Sequence, residues 1–327
     1  MFLPPMRSLA ASAASLVSAA TLVVTPSSPV AAAPVAAAPV SAAPVSAAPN
    51  AAAPVAATRA AAPVATLVGV RASHHPGLDR VVFEFRGPLP ARRTAGYVSR
   101  LIADGSGDTI PVAGDAILGL RFERAVGHDG SGASTHGPAR ETFALPEVIQ
   151  VVRAGDFEAV LTFGIGLARK APYRVYTLSR PSRVVVDIKA PRRTVPVGVH
   201  FLDSRRYDAG REPYTRAVRR PVAPPSLARG ALQRLFAGPT RAEYAAGLRF
   251  VASGATGFRS VVVRGGVAHV RLTGAVGSGG SAFTVADEIT PTLKRLPGIH
   301  WVKIYDARGR TQHPAGRSDS VPESLEP

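Results

Sequence analysis

The sequence contains no cysteine among its 327 residues. This absence excludes disulfide bonds, thiolate zinc sites and the lipid-modified N-terminal cysteine of common lipoproteins. An oxidising compartment is therefore allowed, although nothing in the residues demands one.

Signatures of known chemistry are also missing. The chain has no G-x-S-x-G nucleophile motif, no H-E-x-x-H zinc motif, no P-loop and no dinucleotide-binding fingerprint. Five loop residues raise the alternative of a metal site, but none has the i, i+4 helical spacing of a strong zinc motif. They are His74, His75, His128, Asp129 and His136. We therefore predict loop roles for them, and no catalytic, cofactor-binding or metal-binding residue.

The first 65 residues differ in composition from the rest. After Arg7, residues 9–24 (LAASAASLVSAATLVV) form a modestly apolar run that is short for a membrane span. Residues 1–29 are therefore predicted to be a signal peptide, with an uncleaved N-terminal anchor as the alternative. Five-residue repeats such as VAAAP follow and predict a disordered Ala/Pro/Val-rich spacer over 30–65, because regularly spaced proline blocks helix formation. Both alternatives predict an extracytoplasmic protein, secreted or anchored at the cell envelope.

Residues 66–190 carry strand signals. RVVFEF (residues 80–85), FEAVLTFGIG (157–166), YRVYTL (173–178) and RVVVDI (183–188) are short runs separated by Gly, Pro or Ser. Such spacing predicts an all-β sandwich, with a long Gly-rich surface loop over 127–141. Asp79 and Asp187 lie beside Arg80 and Arg183, which favours turn or cross-strand pairing over acid catalysis.

This region resembles the AMIN-like domain of actinobacterial envelope proteins. The resemblance rests on HHPGLDRVVFEF, YVSRLIADGSGDTIPVAG and GDFEAVLTFGIGLARKAPYRVYTLSRPSRVVVDIK, in that order. It implies a β-sandwich that attaches proteins to cell-wall or envelope components, and it supplies no catalytic residue.

Residues 193–312 alternate between strand and helix signals, which predicts an α+β domain of order βαββαβ with helices over one small mixed sheet. A strand over 195–203 is followed by a basic segment, 205–220, predicted to be a loop. In ALQRLFAGPTRAEYAAGL (231–248), Gly238 and Pro239 end one helix, and Thr240 with Glu243 forms the capping box of another. A reactive threonine is the alternative at this corner, but the only nearby acid is committed to the cap.

The end of this region predicts a hairpin and a last helix. Gly265-Gly266 is a favoured two-residue turn between strands, and Ser281 is placed to cap the helix. The apolar stripe of that helix comprises Phe283, Ala286, Ile289, Leu293 and Leu296, and Pro297-Gly298 ends it. Pro291 falls inside the helix, so a kink or an early break is expected.

VHFLD, LQRLFAGPTRAEYAAGL, GVAHVRLTG and LPGIHWVKIYDARGR resemble the GerMN domain of sporulation, germination and other envelope proteins. The resemblance implies an interaction module without established chemistry, in which the Gly-Pro-Thr corner is a scaffold feature. Residues 313–327 are predicted to be a disordered tail.

Positive charge is unevenly placed in the chain. The net charge is +2 for residues 1–65, +4 for 66–190 and +11 for 191–327. Three arginine pairs surround the strand predicted over 195–203, and they are Arg192, Arg193, Arg205, Arg206, Arg219 and Arg220. Two alternatives stay open: a solvated linker, or a candidate surface for anionic wall polymers or lipid headgroups, to which arginine makes bidentate contacts.

These observations together predict a non-enzymatic envelope protein with a wall-binding sandwich and a protein-interaction GerMN module. Its predicted partners are cell-wall polymers (peptidoglycan or anionic polymers) and an unidentified envelope protein, with membrane contact only through an uncleaved N-terminal segment. The alternative is a cell-wall hydrolase, or an accessory protein that activates one. Nucleic acid is disfavoured as a partner, because export removes it and the basic residues are not interleaved with exposed aromatics.

Overall fold

The computed structural model describes residues 63–327. The predicted signal or anchor segment, and the predicted spacer up to residue 62, lie outside this range. Among the described residues, no helix is both long enough and apolar enough to cross a membrane.

Residues 65–190 form a sandwich of two five-stranded sheets. One sheet has the strand order β11-β12-β2-β1-β7 and the other β3-β6-β10-β9-β8. The strands are β1 (Ala65–His75), β2 (Leu78–Arg86), β3 (Arg92–Val98), β4 (Leu101–Ile102), β5 (Thr109–Ile110), β6 (Ala116–Glu123), β7 (Ala125–Val126), β8 (Arg140–Thr142), β9 (Val148–Phe157), β10 (Val160–Leu167), β11 (Tyr173–Ser179) and β12 (Ser182–Lys189). The predicted all-β sandwich is confirmed.

Alternation along the strands builds the core of the sandwich. Val81, Phe83 and Phe85 of β2 point inward, as the period of two predicts. The Phe83 ring lies 5.1 Å from that of Phe122 and 5.2 Å from that of Phe163, both in the opposite sheet and both edge-on. These aromatic contacts join the two sheets across the core.

Two predicted boundaries in the sandwich are wrong. The strand predicted over 157–166 is a hairpin, because Glu158 and Ala159 have φ values of 49° and 56° and turn the chain between β9 and β10. The loop predicted over 127–141 contains β8 at its end, and its His136 is buried against Phe163.

Residues 195–305 form the α+β domain. Its elements are β13 (Val195–Asp203), α1 (Ser204–Asp208), β14 (Thr215–Val222), α2 (Leu227–Phe236), α3 (Arg241–Ala245), β15 (Leu248–Arg249), β16 (Ala255–Arg264), β17 (Val267–Gly274), α4 (Val285–Lys294) and β18 (Trp301–Tyr305). They form two three-stranded sheets, β14-β13-β15 and β16-β17-β18, rather than one mixed sheet. The predicted α+β class is confirmed. Strand β14 was not predicted from the sequence.

The basic segment 205–220 is not a loop. It contains most of α1 and most of β14, and β14 pairs with β13 from Leu202↔Thr215 to Val195↔Val222. The sequence TRAVRRPV lacks apolar alternation, so backbone pairing with β13 defines this strand. Pro221 is tolerated because β14 is an edge strand of its sheet.

Helix α4 differs from the prediction at both ends. It begins after Thr284, whose N–H donates to the Asp287 carboxylate over 2.7 Å, instead of after Ser281. It continues for three residues beyond Pro291 and ends at Lys294, before Pro297. The predicted apolar stripe of five residues is buried throughout.

Polar side chains of α4 accept hydrogen bonds from backbone N–H groups of β13. The His200 N–H donates to Thr292 Oγ1 over 2.9 Å. The Glu288 carboxylate accepts from the N–H of Leu202 (2.9 Å) and from that of Val251 (3.1 Å). Fully buried Glu288 therefore satisfies backbone groups that would otherwise lack partners.

The Gly-Pro-Thr corner is a capped helix junction, as predicted. Gly238 has φ 81°, and the Glu243 carboxylate accepts from the Thr240 N–H over 2.8 Å while Thr240 Oγ1 accepts from the Glu243 N–H. The same carboxylate pairs with Arg220 of β14, at 2.7 Å from Nη1. Arg220 is 1% exposed, so Glu243 also neutralises a buried charge.

The C-terminal segment, predicted to be a disordered tail over 313–327, is ordered. Leu325 and Ser320 are buried, and the Val302 N–H donates to the Asp319 carboxylate over 2.8 Å. Buried Lys303 donates to the carbonyls of His313 and Ala315. The prediction was wrong because a polar composition does not reveal backbone carbonyls that solvate a buried ammonium group.

We expect Thr240→Ala to lower the free energy of unfolding by about 1 kcal/mol through loss of the cap. Glu243→Ala should cost about 3 kcal/mol, because it also leaves Arg220 buried without its carboxylate. Urea denaturation of both variants measures the difference. Equal losses would show that the Arg220–Glu243 pair adds nothing beyond the cap.

Candidate functional site

The two domains meet through polar side chains that bond to each other's backbone. Arg234 of α2 is 2% exposed, and its Nη2 donates to the Pro146 carbonyl of the sandwich over 2.8 Å. In the opposite direction, Thr142 Oγ1 and Gln150 Nε2 of the sandwich donate to the Ala237 carbonyl. Ala237 directly precedes the Gly-Pro-Thr corner, so this corner also docks the α+β domain onto the sandwich.

A buried acid lies beside this junction. The Glu147 carboxylate is 2.8 Å from Arg169 Nε, yet burial raises the pKa of Glu147 to about 7. The Glu147 N–H donates to the Asp79 carboxylate, which also accepts from Val148. Burial also disfavours the charged form of Arg234 and lowers its pKa to about 10. Arg234 therefore stays charged at neutral pH.

A cleft of about 510 Å³ opens between the domains on the β8 side of the junction. Phe236, Phe250 and Phe258 of the α+β domain line one wall. The Phe236 ring centre is 5.4 Å from that of Phe250 and 5.8 Å from that of Phe258. All three rings are only partly buried, so the cleft offers an apolar wall.

Two arginines frame the cleft. Arg229 pairs with Asp115 at 2.8 Å and lies 5.4 Å from the centre of the Phe258 ring. Arg140 donates to Gln150 Oε1 and to the Pro111 carbonyl, each over 2.7 Å. Within residues 63–327, Arg140 has no carboxylate within ion-pair distance. The cleft therefore combines an apolar wall with one uncompensated positive charge.

A second concave surface, the glycine groove, lies on the outer face of the sandwich. Gly96, Gly119 and Gly164 lie in register across β3, β6 and β10. Leu101 covers Gly164, whereas the space above Gly96 is open. The groove occupies about 530 Å³, and its rims include Thr94, Val98, Arg100, Ile102, Asp104, Arg121 and Thr162.

The six predicted arginines do not form one surface. Arg220 is buried and paired with Glu243, and Arg206 donates to the carbonyls of Glu212 and Pro213.

The other four arginines are spread along β13. Arg192 and Arg193 precede the first residue of this strand, whereas Arg205 follows its last residue. Nine extended residues, about 30 Å, separate the two ends. Arg219, opposite Gly198, is exposed between them.

The histidines considered for a metal site have other partners. His74 bonds to Asp79 and His128 to Asp156, whereas His136 packs on Phe163. Within residues 63–327, no group of three potential ligands is suitably placed for a metal ion.

Arg80 and Asp187 make the predicted cross-strand pair, with Nε and Oδ1 2.7 Å apart.

No pattern in the sequence predicted the residues of the cleft or of the glycine groove as site residues. Arg140 ends a Gly-rich stretch, and Phe250 and Phe258 lie in short segments without strong periodicity. Gly96, Gly119 and Gly164 are far apart along the chain, and only strand pairing aligns them. A glycine among strand residues does signal close approach or open space, but it does not identify its neighbours.

Two protein-family models match the chain. Residues 65–190 match the AMIN-like domain, and residues 199–311 match the family described as sporulation and spore germination. No curated protein sequence matches.

One solved structure is similar to part of the chain. It contains the tandem GerMN domains of the sporulation protein GerM from Bacillus subtilis, at 16% identity and a TM-score of 0.26. The match covers 40% of this chain and 48% of that one.

We expect the free energy of unfolding to fall as the pH rises from 6.5 to 8. Burial raises the pKa of Glu147 to about 7 and that of Glu288 to about 8, from 4.5. The folded state then binds more protons than the unfolded chain, so its advantage is lost as the pH rises through these values. Burial lowers the pKa values of His136, His200 and His269 from 6.5, which has the opposite effect, but only below about that pH.

Urea denaturation across this range should show a shallower decline for Glu147→Gln and for Glu288→Gln than for the parent protein. Glu158→Gln, at an exposed turn, is the matched control and should retain the parent slope. Parallel curves for all four proteins would contradict a proton held by either buried glutamate.

Proposed function

We propose that the chain is a non-enzymatic cell-envelope protein. An AMIN-like match over residues 65–190, followed by a sporulation and spore germination match over residues 199–311, supports this proposal. The sandwich binds the peptidoglycan of the wall, and the α+β domain engages a second envelope protein. The protein acts outside the cytoplasm, either secreted or anchored by its N-terminal segment.

The glycine groove is the observation that carries the wall-binding proposal. A sugar ring presents a flat face of C–H groups and a rim of hydroxyls, so it fits a flat floor with polar groups at its edge. Gly96 and Gly119 supply such a floor, with Val98 and Ile102 exposed along one side. The other side carries Thr94, Arg121 and Thr162, which lie in register across three strands.

The position of the groove suits a polymer. Strand β3 is an edge strand, so the groove is open at the side of the sheet. The groove floor belongs to the sandwich alone, so a wall strand lying in it leaves the α+β domain accessible. The rigid junction through Ala237 then holds that domain at a fixed place relative to the wall.

The alternative function is a wall hydrolase, or an accessory of one. Neither matched domain family is a known catalytic family, which favours binding. Incubation with labelled peptidoglycan separates the two, because a hydrolase releases soluble fragments and a binding protein only sediments with the wall.

We expect Gly96→Leu to reduce sedimentation with purified peptidoglycan about ten-fold. The new side chain fills the groove, and no heavy atom lies within 4 Å of its Cβ, so the sandwich should tolerate it. Gly69→Leu, at another strand glycine with open space, is the matched control and should bind like the parent protein. Unchanged binding by the Gly96 variant with retained melting temperature would exclude this groove, and release of label would overturn the non-enzymatic proposal.

The exposed arginines near β13 add a second component to the proposal. Arg192, Arg193, Arg205 and Arg219 remain solvent-exposed and support contacts with anionic wall polymers. Arg206 and Arg220 are left out, because they bond to groups of the protein itself.

Replacing these four arginines by glutamine should weaken binding to walls that retain their anionic polymers, and should flatten its dependence on salt. Exposed charges are screened beyond about 8 Å at physiological ionic strength, so this component must decline as salt is added. A salt titration of sedimentation for both proteins is the measurement. Identical titration curves would return the four arginines to a solubilising role.

A further inference from the structure

The cleft between the domains has the composition of a ligand site that the wall-binding proposal does not use. Its walls come from both domains, with Arg140 and Asp115 on the sandwich and Arg229 and the three phenylalanines on the α+β domain. At about 510 Å³ it falls in the size range of small-molecule and short-peptide pockets. We propose that this cleft binds the C-terminal end of a peptide that has a free carboxylate and an apolar or aromatic last side chain.

Arg140 identifies the charged part of this ligand. Its guanidinium is held in place by Gln150 Oε1 and the Pro111 carbonyl, both neutral acceptors. These two bonds use two of five N–H groups and leave donors for a further acceptor. Arg140 is exposed at the edge strand β8, so its guanidinium is accessible to a ligand that enters the cleft. A ligand carboxylate can accept charge-assisted hydrogen bonds from the guanidinium donors that Gln150 and Pro111 leave free.

The remaining charges in the cleft limit the ligand to a single negative charge. Arg229 is already neutralised by Asp115, with Nε and Oδ2 2.8 Å apart. A polyanion would meet one available guanidinium and the Asp115 carboxylate together, so phosphate-rich polymers are disfavoured. One carboxylate matches one unpaired arginine.

The phenylalanines identify the apolar part. Phe236, Phe250 and Phe258 come from three separate segments, and the Phe236 ring contacts Phe250 edge-on and Phe258 at a tilt. They line the cleft instead of being fully buried, so apolar area remains for a side chain of the ligand. Aromatic rings pair favourably with one another edge-on or offset, so this wall favours an aromatic last residue in the ligand.

The cleft is connected to the junction that holds the domains together. Gln150 accepts from Arg140 with Oε1 and donates to the Ala237 carbonyl with Nε2. Arg140 therefore lies two hydrogen bonds from the Ala237 carbonyl, which directly precedes the corner of the α+β domain. Binding should stabilise the two domains together, because neither forms the cleft alone.

The test compares two soluble probes on the full chain by isothermal titration calorimetry: N-acetyl-Ala-Phe with a free carboxylate, and the same dipeptide as its C-terminal amide. The acid should bind at least ten-fold more tightly than the amide, since only the acid pairs with Arg140. Arg140→Gln should weaken binding of the acid about ten-fold and leave binding of the amide unchanged. Arg86→Gln, at an exposed arginine on β2 outside the cleft, should bind both probes like the parent protein.

A second variant covers the case in which Arg140→Gln disturbs the junction. Thr256→Trp, at an exposed residue lining the cleft, obstructs the cleft without removing Arg140, and should abolish binding of both probes. Equal affinity for acid and amide would overturn the proposal, as would unchanged binding by a folded Arg140 variant or no binding of the acid at millimolar concentration. Gly96→Leu should retain peptide binding, so failure at the glycine groove and failure at the cleft are distinguishable.

Discussion

The structure depends on the satisfaction of buried backbone groups by polar side chains from the other domain. The Ala237 carbonyl, at the end of α2, accepts from Thr142 and Gln150 of the sandwich, and Arg234 donates to the Pro146 carbonyl in return. A buried carbonyl without a hydrogen-bond donor costs free energy of folding, so these bonds determine the position of the corner. The apolar cores of the two domains are separate clusters, which leaves polar contacts to determine how the domains dock.

This docking explains why the cleft and the glycine groove have different characters. The groove belongs to one sheet, and its floor follows from glycines aligned by strand pairing. The cleft exists only because two domains meet, and its charged and apolar walls come from different parts of the chain. A polymer fits the open surface of a sheet edge, whereas a short ligand with one charge fits a cleft between two domains.

Arginine serves the interior of this protein as well as its surface. Arg220 neutralises the capping glutamate of α3, and Arg234 holds the domain junction, although both are almost fully buried. The net charge of +17 therefore overstates the charge available to a polyanion. Planar guanidinium groups suit these positions, because several donors in a fixed geometry can bond to carboxylates and carbonyls together.

The sequence by itself determined the features that depend on local periodicity. Short strand-like runs separated by turn residues predicted the sandwich, and the apolar stripe of the last helix predicted its buried face. The Thr240–Glu243 capping box and the Gly265-Gly266 turn followed from residues adjacent in the chain, and both family resemblances followed from ordered motifs.

Only the tertiary structure decided which distant residues meet. Strand β14 has almost no apolar alternation and exists because β13 pairs with it, and the C-terminal segment is ordered because Lys303 needs its carbonyls. Arg220 was indistinguishable from Arg219 in the sequence, yet one is buried against Glu243 and the other is exposed. Local patterns record the face that a residue presents, whereas burial, ion pairing and the walls of a cleft depend on partners that the chain brings together only by folding.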